Sequence, residues 1–480
     1  MNHILCGKPP KSALARLNEK MCDLKQSSLS ELSDLFGRLV PSKHLLPKSE
    51  KDNSRQRIYS QNVTFWAFLS QMLSPMASCL GAVRKVQSYC SLRGLALPSS
   101  STAGYCIARK RLKREDLLDI HGAVADSIQS QSNGANLWKG REVKVVDGTS
   151  ISMPDTPENQ ERFYQPSGQK PGCGFPAVSI VACFSLTSGA LLRWVESALK
   201  SHESRVFKKM IGFFNPGEVA LGDRGFCSYT NIALLAEKGV DAVMRLHQAR
   251  RPDYRSGKRL GKYDRIVTWL RPRKATGMSE KELSALPDSL ELRMVRVYVE
   301  VKGFRTRRLD IVTTLLDPVD FSKDDLAELY YRRWSVELYF RHIKTTMKME
   351  ALRGRTPEMV RKEIAMFAIA YNMLRSLMQE AAAIEGTDLN RVSFKSAADT
   401  LRQYQSALNA TRDKPRIQKR IIGDMLRIIG LETVPLRMNR SEPRAMKKRP
   451  KGYQYLTKPR HVFKESKSRK DKGGKHRKAA

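Results

Sequence analysis

Four side chains of unlike chemistry sit at fixed intervals in one stretch of this chain: Tyr330, Arg333, Glu337 and Lys344. The stretch, Ser322 to Met349, contains neither Gly nor Pro, and Ser322 followed by Asp324 and Asp325 is a helix start signal. On one continuous helix, at about 100° per residue, the four fall within an arc of roughly 60°. Leu329, Val336, Phe340, Ile343 and Met347 form an apolar stripe beside that arc. A carboxylate, two cations and a phenol on one anchored edge can grip and act on phosphate groups. The same edge also reads as an ordinary solvated face, with Arg333 and Glu337 as an i,i+4 pair worth about 0.3–0.5 kcal/mol. Which reading holds depends on whether the chain supplies partners for Glu337. Glu350, the nearest competing acid, lies about 200° round the helix from Tyr330, and replaces Glu337 only if the helix is broken.

Two further acids stand at predicted strand ends. Glu142 to Thr149 is a β-branched run expected to end on Asp147-Gly148, and Glu218 to Gly225 carries Asp223. Taken alone, Asp147-Gly148 also reads as a turn and Asp223 as a helix cap. Side chains at the ends of central strands leave the sheet and can meet a ligand. Carboxylates that converge there need a cation, and hard Mg²⁺ or Mn²⁺ takes oxygen ligands. Two such ions roughly 4 Å apart can drive an in-line phosphoryl displacement.

The elements that would position these groups follow in order. The first 55 or so residues are polar and Lys-rich, with an amphipathic segment at Leu29–Phe36. Helices are predicted from Ser60 to Pro75 and from Cys79 to Leu92, and a basic helix from Ala103 to Arg114. That arrangement suits a helix-turn-helix reader of DNA, and equally a small helical bundle with a wet face. Strands begin after Gly134: the Asp147 run, a hairpin of Phe175–Leu186 and Ala190–Leu199, and the Asp223 run. Helices Ser204–Phe214 and Tyr229–Lys238 flank the Asp223 run, and a strand at Asp241–Leu246 closes the series. The fold class is α/β, and the order matches a ribonuclease-H-like catalytic domain.

Six segments follow from this pass. Residues 1–135 form an N-terminal helical DNA-binding region and 136–249 the first part of the catalytic core. Residues 250–310 form a β-rich insertion, 311–382 the second part of the core, 383–437 a C-terminal helical region and 438–480 a basic tail predicted to be disordered.

Composition restricts the partners. Lys and Arg number 86 against 48 Asp and Glu, a net charge of +38, which calls for a polyanion, nucleic acid first. No run of about twenty apolar residues offers a membrane span, and the first residues do not read as a signal peptide. The eight cysteines are scattered without a Cys-x-x-Cys pair, which argues against zinc and for a reducing compartment, the cytosol. The histidines are equally dispersed, so carboxylates are the expected metal ligands.

The spacing Tyr330, Arg333, Glu337, Lys344 resembles the Tyr-Arg-Glu-Lys signature of bacterial DDE transposases of the insertion-sequence-four group. Val145-Val146-Asp147-Gly148-Thr149 resembles that family's first-acid motif, and Leu221-Gly222-Asp223-Arg224-Gly225-Phe226 its second. Asp264 to Trp269 also resembles family sequence, and the likeness covers roughly residues 60 to 380. The resemblance implies a cut-and-paste transposase acting as a homodimer on double-stranded DNA, both the terminal inverted repeats and the target. It implies no membrane and no small-molecule substrate. Asp147, Asp223 and Glu337 would bind two Mg²⁺ or Mn²⁺ ions, and Tyr330, Arg333 and Lys344 would grip phosphates. Water would cleave at the end of the mobile element. The freed 3′ hydroxyl would then form and resolve a hairpin, and join target DNA. A nuclease on the same fold without strand transfer, and a DNA-binding protein derived from such an enzyme, are the alternatives. Some relatives hold a flipped base with a Trp before the signature helix. Arg308 to Leu316 has none, which leaves Trp269 and Trp334 either as substitutes or as packing residues.

Overall fold

The computed structural model describes residues 29–46, 58–132, 137–199, 201, 203–298, 308–435 and 455–462. Most of the basic tail and the start of the N-terminal region lie outside the described residues.

One nine-stranded sheet organises the molecule, in the order β3-β2-β1-β4-β5-β9-β8-β7-β6. Its strands are β1 (Val143–Ser152), β2 (Ala177–Ser185), β3 (Leu191–Ala198), β4 (Val219–Gly222), β5 (Asp241–Arg245), β6 (Lys258–Gly261), β7 (Asp264–Leu270), β8 (Ser289–Tyr298) and β9 (Arg308–Thr313). β1, β4 and β5 run parallel, and β2 and β3 form an antiparallel hairpin on one side. On the other side β9 pairs antiparallel with β5, and β8, β7 and β6 continue outward. The strands within residues 250–310 therefore extend the central sheet.

Both faces of the sheet are covered, and the period-2 alternation of apolar residues shows why. Val143, Val145, Val178, Ile180, Leu221 and Ile311 point into one core, whereas Val146, Val181, Cys183, Ala220, Met244 and Val312 point into another. The second core is closed by α7 (Glu203–Ile211) and α8 (Tyr229–Glu237), numbered after six N-proximal helices. Those six are α1 (Leu32–Phe36), α2 (Gln61–Leu73), α3 (Cys79–Leu92), α4 (Ala103–Arg111), α5 (Arg114–Ser130) and α6 (Pro157–Phe163).

The first core is the larger. Chain-distant helices meet on it: α5 packs on α12 (Pro357–Glu385), which also contacts α13 (Phe394–Ala410) and α14 (Pro415–Leu431). These numbers follow the short α9 (Glu280–Ser284) and the signature helices α10 (Lys323–Arg332) and α11 (Ser335–Arg341). The Thr356 side chain caps α12, accepting from the Met359 N–H, and Pro357 occupies its first turn. Gly386 ends it in the left-handed region at φ 64°. Ile364, Phe367, Ile369, Tyr371, Met373 and Leu374 are all buried, so α12 is wrapped on every side. Each such apolar side chain contributes roughly 1.5–3 kcal/mol.

Three sequence expectations are corrected here. The basic helix stops at Arg111, and a separate 17-residue α5 begins at Arg114. Its neighbour α4 turns Arg109 inward over the Phe68 ring, while Lys110, Arg111 and Lys113 stay exposed. β1 does not end at Asp147 but runs on through Gly148 to Ser152. The Ser322–Met349 segment is not one helix. It tightens at Arg333 and Trp334, whose N–H groups donate three residues back to Tyr330 and Tyr331. It then widens into a π turn at His342–Thr346, where the Met347 N–H donates to the His342 carbonyl. Tightening overwinds the chain and widening underwinds it, so the two departures offset in phase.

Candidate active site

The α10 N-terminus is fixed by a capping box: Ser322 Oγ accepts from the Asp325 N–H, and the Asp325 carboxylate accepts from the Ser322 N–H. Beside it, buried Arg293 on β8 makes a two-pronged contact with Asp264 on β7 at 2.8 and 2.6 Å. Its remaining nitrogen donates to the carbonyls of Asp317 and Phe321, the residues leading into α10. The β-rich strands thus hold the entry of the signature segment.

From that anchored start, three of the four signature side chains turn toward the acid-bearing strands. Tyr330, 1% exposed, donates from its hydroxyl to Asp223 Oδ1 at 3.3 Å. Asp223 lies one residue beyond β4. Arg333 is also buried, with Nη1 3.7 Å from Asp147 Oδ2 and Nη2 3.9 Å from Glu337 Oε1. Its Nε has no hydrogen-bond partner among the described residues. Lys344, presented by the π turn, donates to Thr149 Oγ1 at 3.1 Å, two residues along β1 from Asp147. Glu337 differs from the half-buried Asp147: its side chain is 64% exposed, against 23%. Tyr330, expected to grip phosphate, has its hydroxyl buried against Asp223.

Asp147 carries the clearest electrostatic signature. Its Oδ1 accepts the Gly148 N–H at 2.8 Å, yet burial pushes its carboxyl up to about 6, against which Arg333 pulls weakly and the charges of Asp223 and Glu203 add. Glu203, the first residue of α7, is raised by burial and by Asp223. Sequence reading missed Glu203 altogether. Neighbouring acids whose charges oppose one another's ionisation are a donor set for a hard divalent cation, whose charge would relieve that repulsion.

A groove of about 770 Å³ opens along β1 and α11, lined by Asp147, Gly148, Thr149, Glu337 and Lys344 among others. Glu350 lines it too, but accepts from the Thr345 hydroxyl at 2.7 Å, and its backbone carbonyl takes the Ser152 hydroxyl at the far end of β1. Although the helix is broken, Glu337 stays the acid linked to Asp147 through Arg333. Trp269 and Trp334 are both packed, the first beneath Arg250 and the second against Tyr330 and Tyr331. Elsewhere, His44, Asp116 and Asp119 bring ligating atoms within 4.8 Å of one another. His44 Nδ1 lies 3.2 Å from Asp116 Oδ1, an arrangement that a buried histidine–aspartate pair accounts for.

Acids on neighbouring strands, with an exposed glutamate and a lysine lining a groove, have the chemistry of a phosphoryl-transfer site. The family model described as "Transposase DDE domain" matches residues 138–373, which span the acids and the signature segment. The chain is 25% identical over 356 residues to "Transposase InsG for insertion sequence element IS4" of Escherichia coli (strain K12), covering 74% of this chain and 77% of that protein. Over 88 residues, 18% of this chain and 22% of the other, it is 31% identical to "Probable transposase for insertion sequence element IS5377" of Geobacillus stearothermophilus. A cryo-EM structure of piggyBac transposase in a synaptic complex with hairpin DNA aligns with TM-score 0.39 and 10% identity, covering 85% of each chain. This chain belongs to the DDE transposases of the insertion-sequence-four group: it is an insertion-sequence transposase, a DNA-cleaving and strand-transferring enzyme.

Proposed function

We propose that Asp147, Asp223 and Glu337 are the catalytic carboxylates, acting on the ends of the mobile element and then on target DNA. Two ions of Mg²⁺ or Mn²⁺ held by these carboxylates would supply Lewis-acid activation of the attacking and leaving oxygens. The single observation that carries this reading is the placement of Arg333, buried between Asp147 and Glu337 with an Nε that has no hydrogen-bond partner among the described residues.

The residues of the chain divide the work. Gly148 N–H and the Tyr330 hydroxyl fix the orientations of Asp147 and Asp223. Arg333 offers a planar, multi-donor guanidinium to a phosphate at the groove, and Lys344 a point charge steadied on Thr149. Glu337, exposed on α11, would close on Asp147 and Asp223 when DNA fills the groove.

The core is read as ribonuclease-H-like, supported by the β3-β2-β1-β4-β5 order with three parallel strands. The divisions 136–249 and 311–382 form that core around the strands of 250–310, with 1–135, 383–437 and 438–480 as flanking segments. Paired element ends need two catalytic sites, which suits a homodimer on DNA. No helix among the described residues is long and apolar enough to cross a membrane, and action on DNA in the bacterial cytoplasm fits the charge of +38. A target-joining assay with pre-cleaved ends tests the reading: joined product is expected, whereas ends bound but never joined would leave a nuclease.

A further inference from the structure

The second-acid and first-acid motifs each place a glycine near their aspartate, as Asp147-Gly148 and Asp223-Arg224-Gly225. Neither glycine has a positive φ, so the left-handed region does not require them. Space does. A Cβ on Gly148 would lie 2.0 Å from Glu203 Oε1, and one on Gly225 3.6 Å from Glu203 Oε2. The Glu203 carboxylate therefore lies between the two motifs, in room that the first of them leaves by omitting a side chain.

Packing fixes that carboxylate. Val206, Phe207, Met210 and Ile211 of α7 are buried against the sheet, at spacings that define one face of the helix. Glu203 opens the same helix, so its side chain is delivered to the motifs by the core. Among the described residues it makes no ion pair or hydrogen bond. Carboxylates gathered this closely repel one another unless a cation neutralises them. Glu203 also lines a second groove of about 670 Å³, with Arg205, Arg250 and Lys274 on its walls. The acids thus stand at the meeting of two grooves, with Glu337 on one and Glu203 on the other.

We propose that Glu203 is a fourth carboxylate of the metal centre, reaching Asp147 and Asp223 across Gly148 from the second groove. This rests on the reading of Asp147 and Asp223 as metal ligands. The test is Mn²⁺ binding to the full-length, DNA-free protein, followed by electron paramagnetic resonance of the free ion. Glu203→Gln is expected to weaken binding by roughly tenfold or more. Gly148→Ala, which pushes the carboxylate away, is expected to do the same. Asp147→Asn separates the two levels of the argument. If Asp147→Asn weakens binding while Glu203→Gln matches wild type, Glu203 is not a ligand and the metal-site reading survives. If neither variant changes binding, the site itself is misassigned. A second measurement needs no variant: Fe²⁺-generated hydroxyl radicals should cut the wild-type backbone near residues 147, 203 and 223. Cutting at 147 and 223 with none at 203 overturns the proposal.

Discussion

The Tyr330 hydroxyl donates to Asp223 Oδ1 across 3.3 Å, from a ring that is almost wholly buried. We propose that this signature tyrosine, expected to grip phosphate, orients an acid. Tyr330→Phe keeps the packing and deletes only that donor. Cleavage in Mg²⁺ should fall by roughly tenfold or more, as for other partners that orient metal ligands. Binding to element ends, followed by gel shift, should stay near wild type. A large loss of end binding with unchanged Mn²⁺ affinity would show that the hydroxyl meets DNA instead.

Glu337 and Glu350 line one groove, and only the first is joined to Asp147 through Arg333. Glu337→Gln should lower cleavage on the order of a hundredfold or more while end binding persists. Glu350→Gln should cost little, because its backbone carbonyl makes the contact with β1. The reverse ranking would transfer the catalytic role to Glu350.

The raised carboxyl of Asp147 gives a pH-dependent stability. Its folded value of about 6 lies above the ordinary 3.8, so the fold disfavours the ionised form. The contribution is fully present below about pH 3.8 and is lost as pH rises through 6. In chelator at pH 7.5, Asp147→Asn should therefore raise stability, by on the order of 1–3 kcal/mol. The gain should vanish near pH 4 and shrink when Mn²⁺ is added. Thermal melts at the two pH values, with and without metal, measure it, and a destabilised variant at pH 7.5 would contradict the burial argument.

Arg293 is the other charge whose removal should be felt widely. Arg293→Ala leaves Asp264 buried without its cation and frees the carbonyls ahead of α10, a loss of about 3–5 kcal/mol. Chemical unfolding should show this directly. Arg293→Met, with Asp264→Leu beside it, should recover part of the stability and less of the cleavage rate.

Much of the site was legible because the acids sit in β-branched runs that declare their strands. Asp147 and Asp223 fell on the predicted runs, Asp223 just beyond β4 and Asp147 in the middle of the parallel neighbour β1 and not at its end. The helix break was not legible, since Ser322–Met349 holds no Gly or Pro and its winding is set by burying Tyr330 and Arg333. Asp147-Gly148 misled for a related reason. A glycine after an acid suggests a turn, but here it makes room for a side chain 55 positions further on (203 − 148). Glu203 itself sits in an ordinary first-turn position, and nothing local marks it. The merger of α5 with α12 is likewise a property of two distant amphipathic surfaces that no local pattern pairs.

Because β9 closes directly onto β5, the strands of 250–310 are not a detachable module. Excising them would bare a sheet edge in the middle of the molecule, a template for aggregation. It would also release the loop that Arg293 clamps ahead of the signature segment. Diversification in this protein is therefore expected to act on the surfaces and loops of those strands, with their presence inherited as part of the catalytic frame.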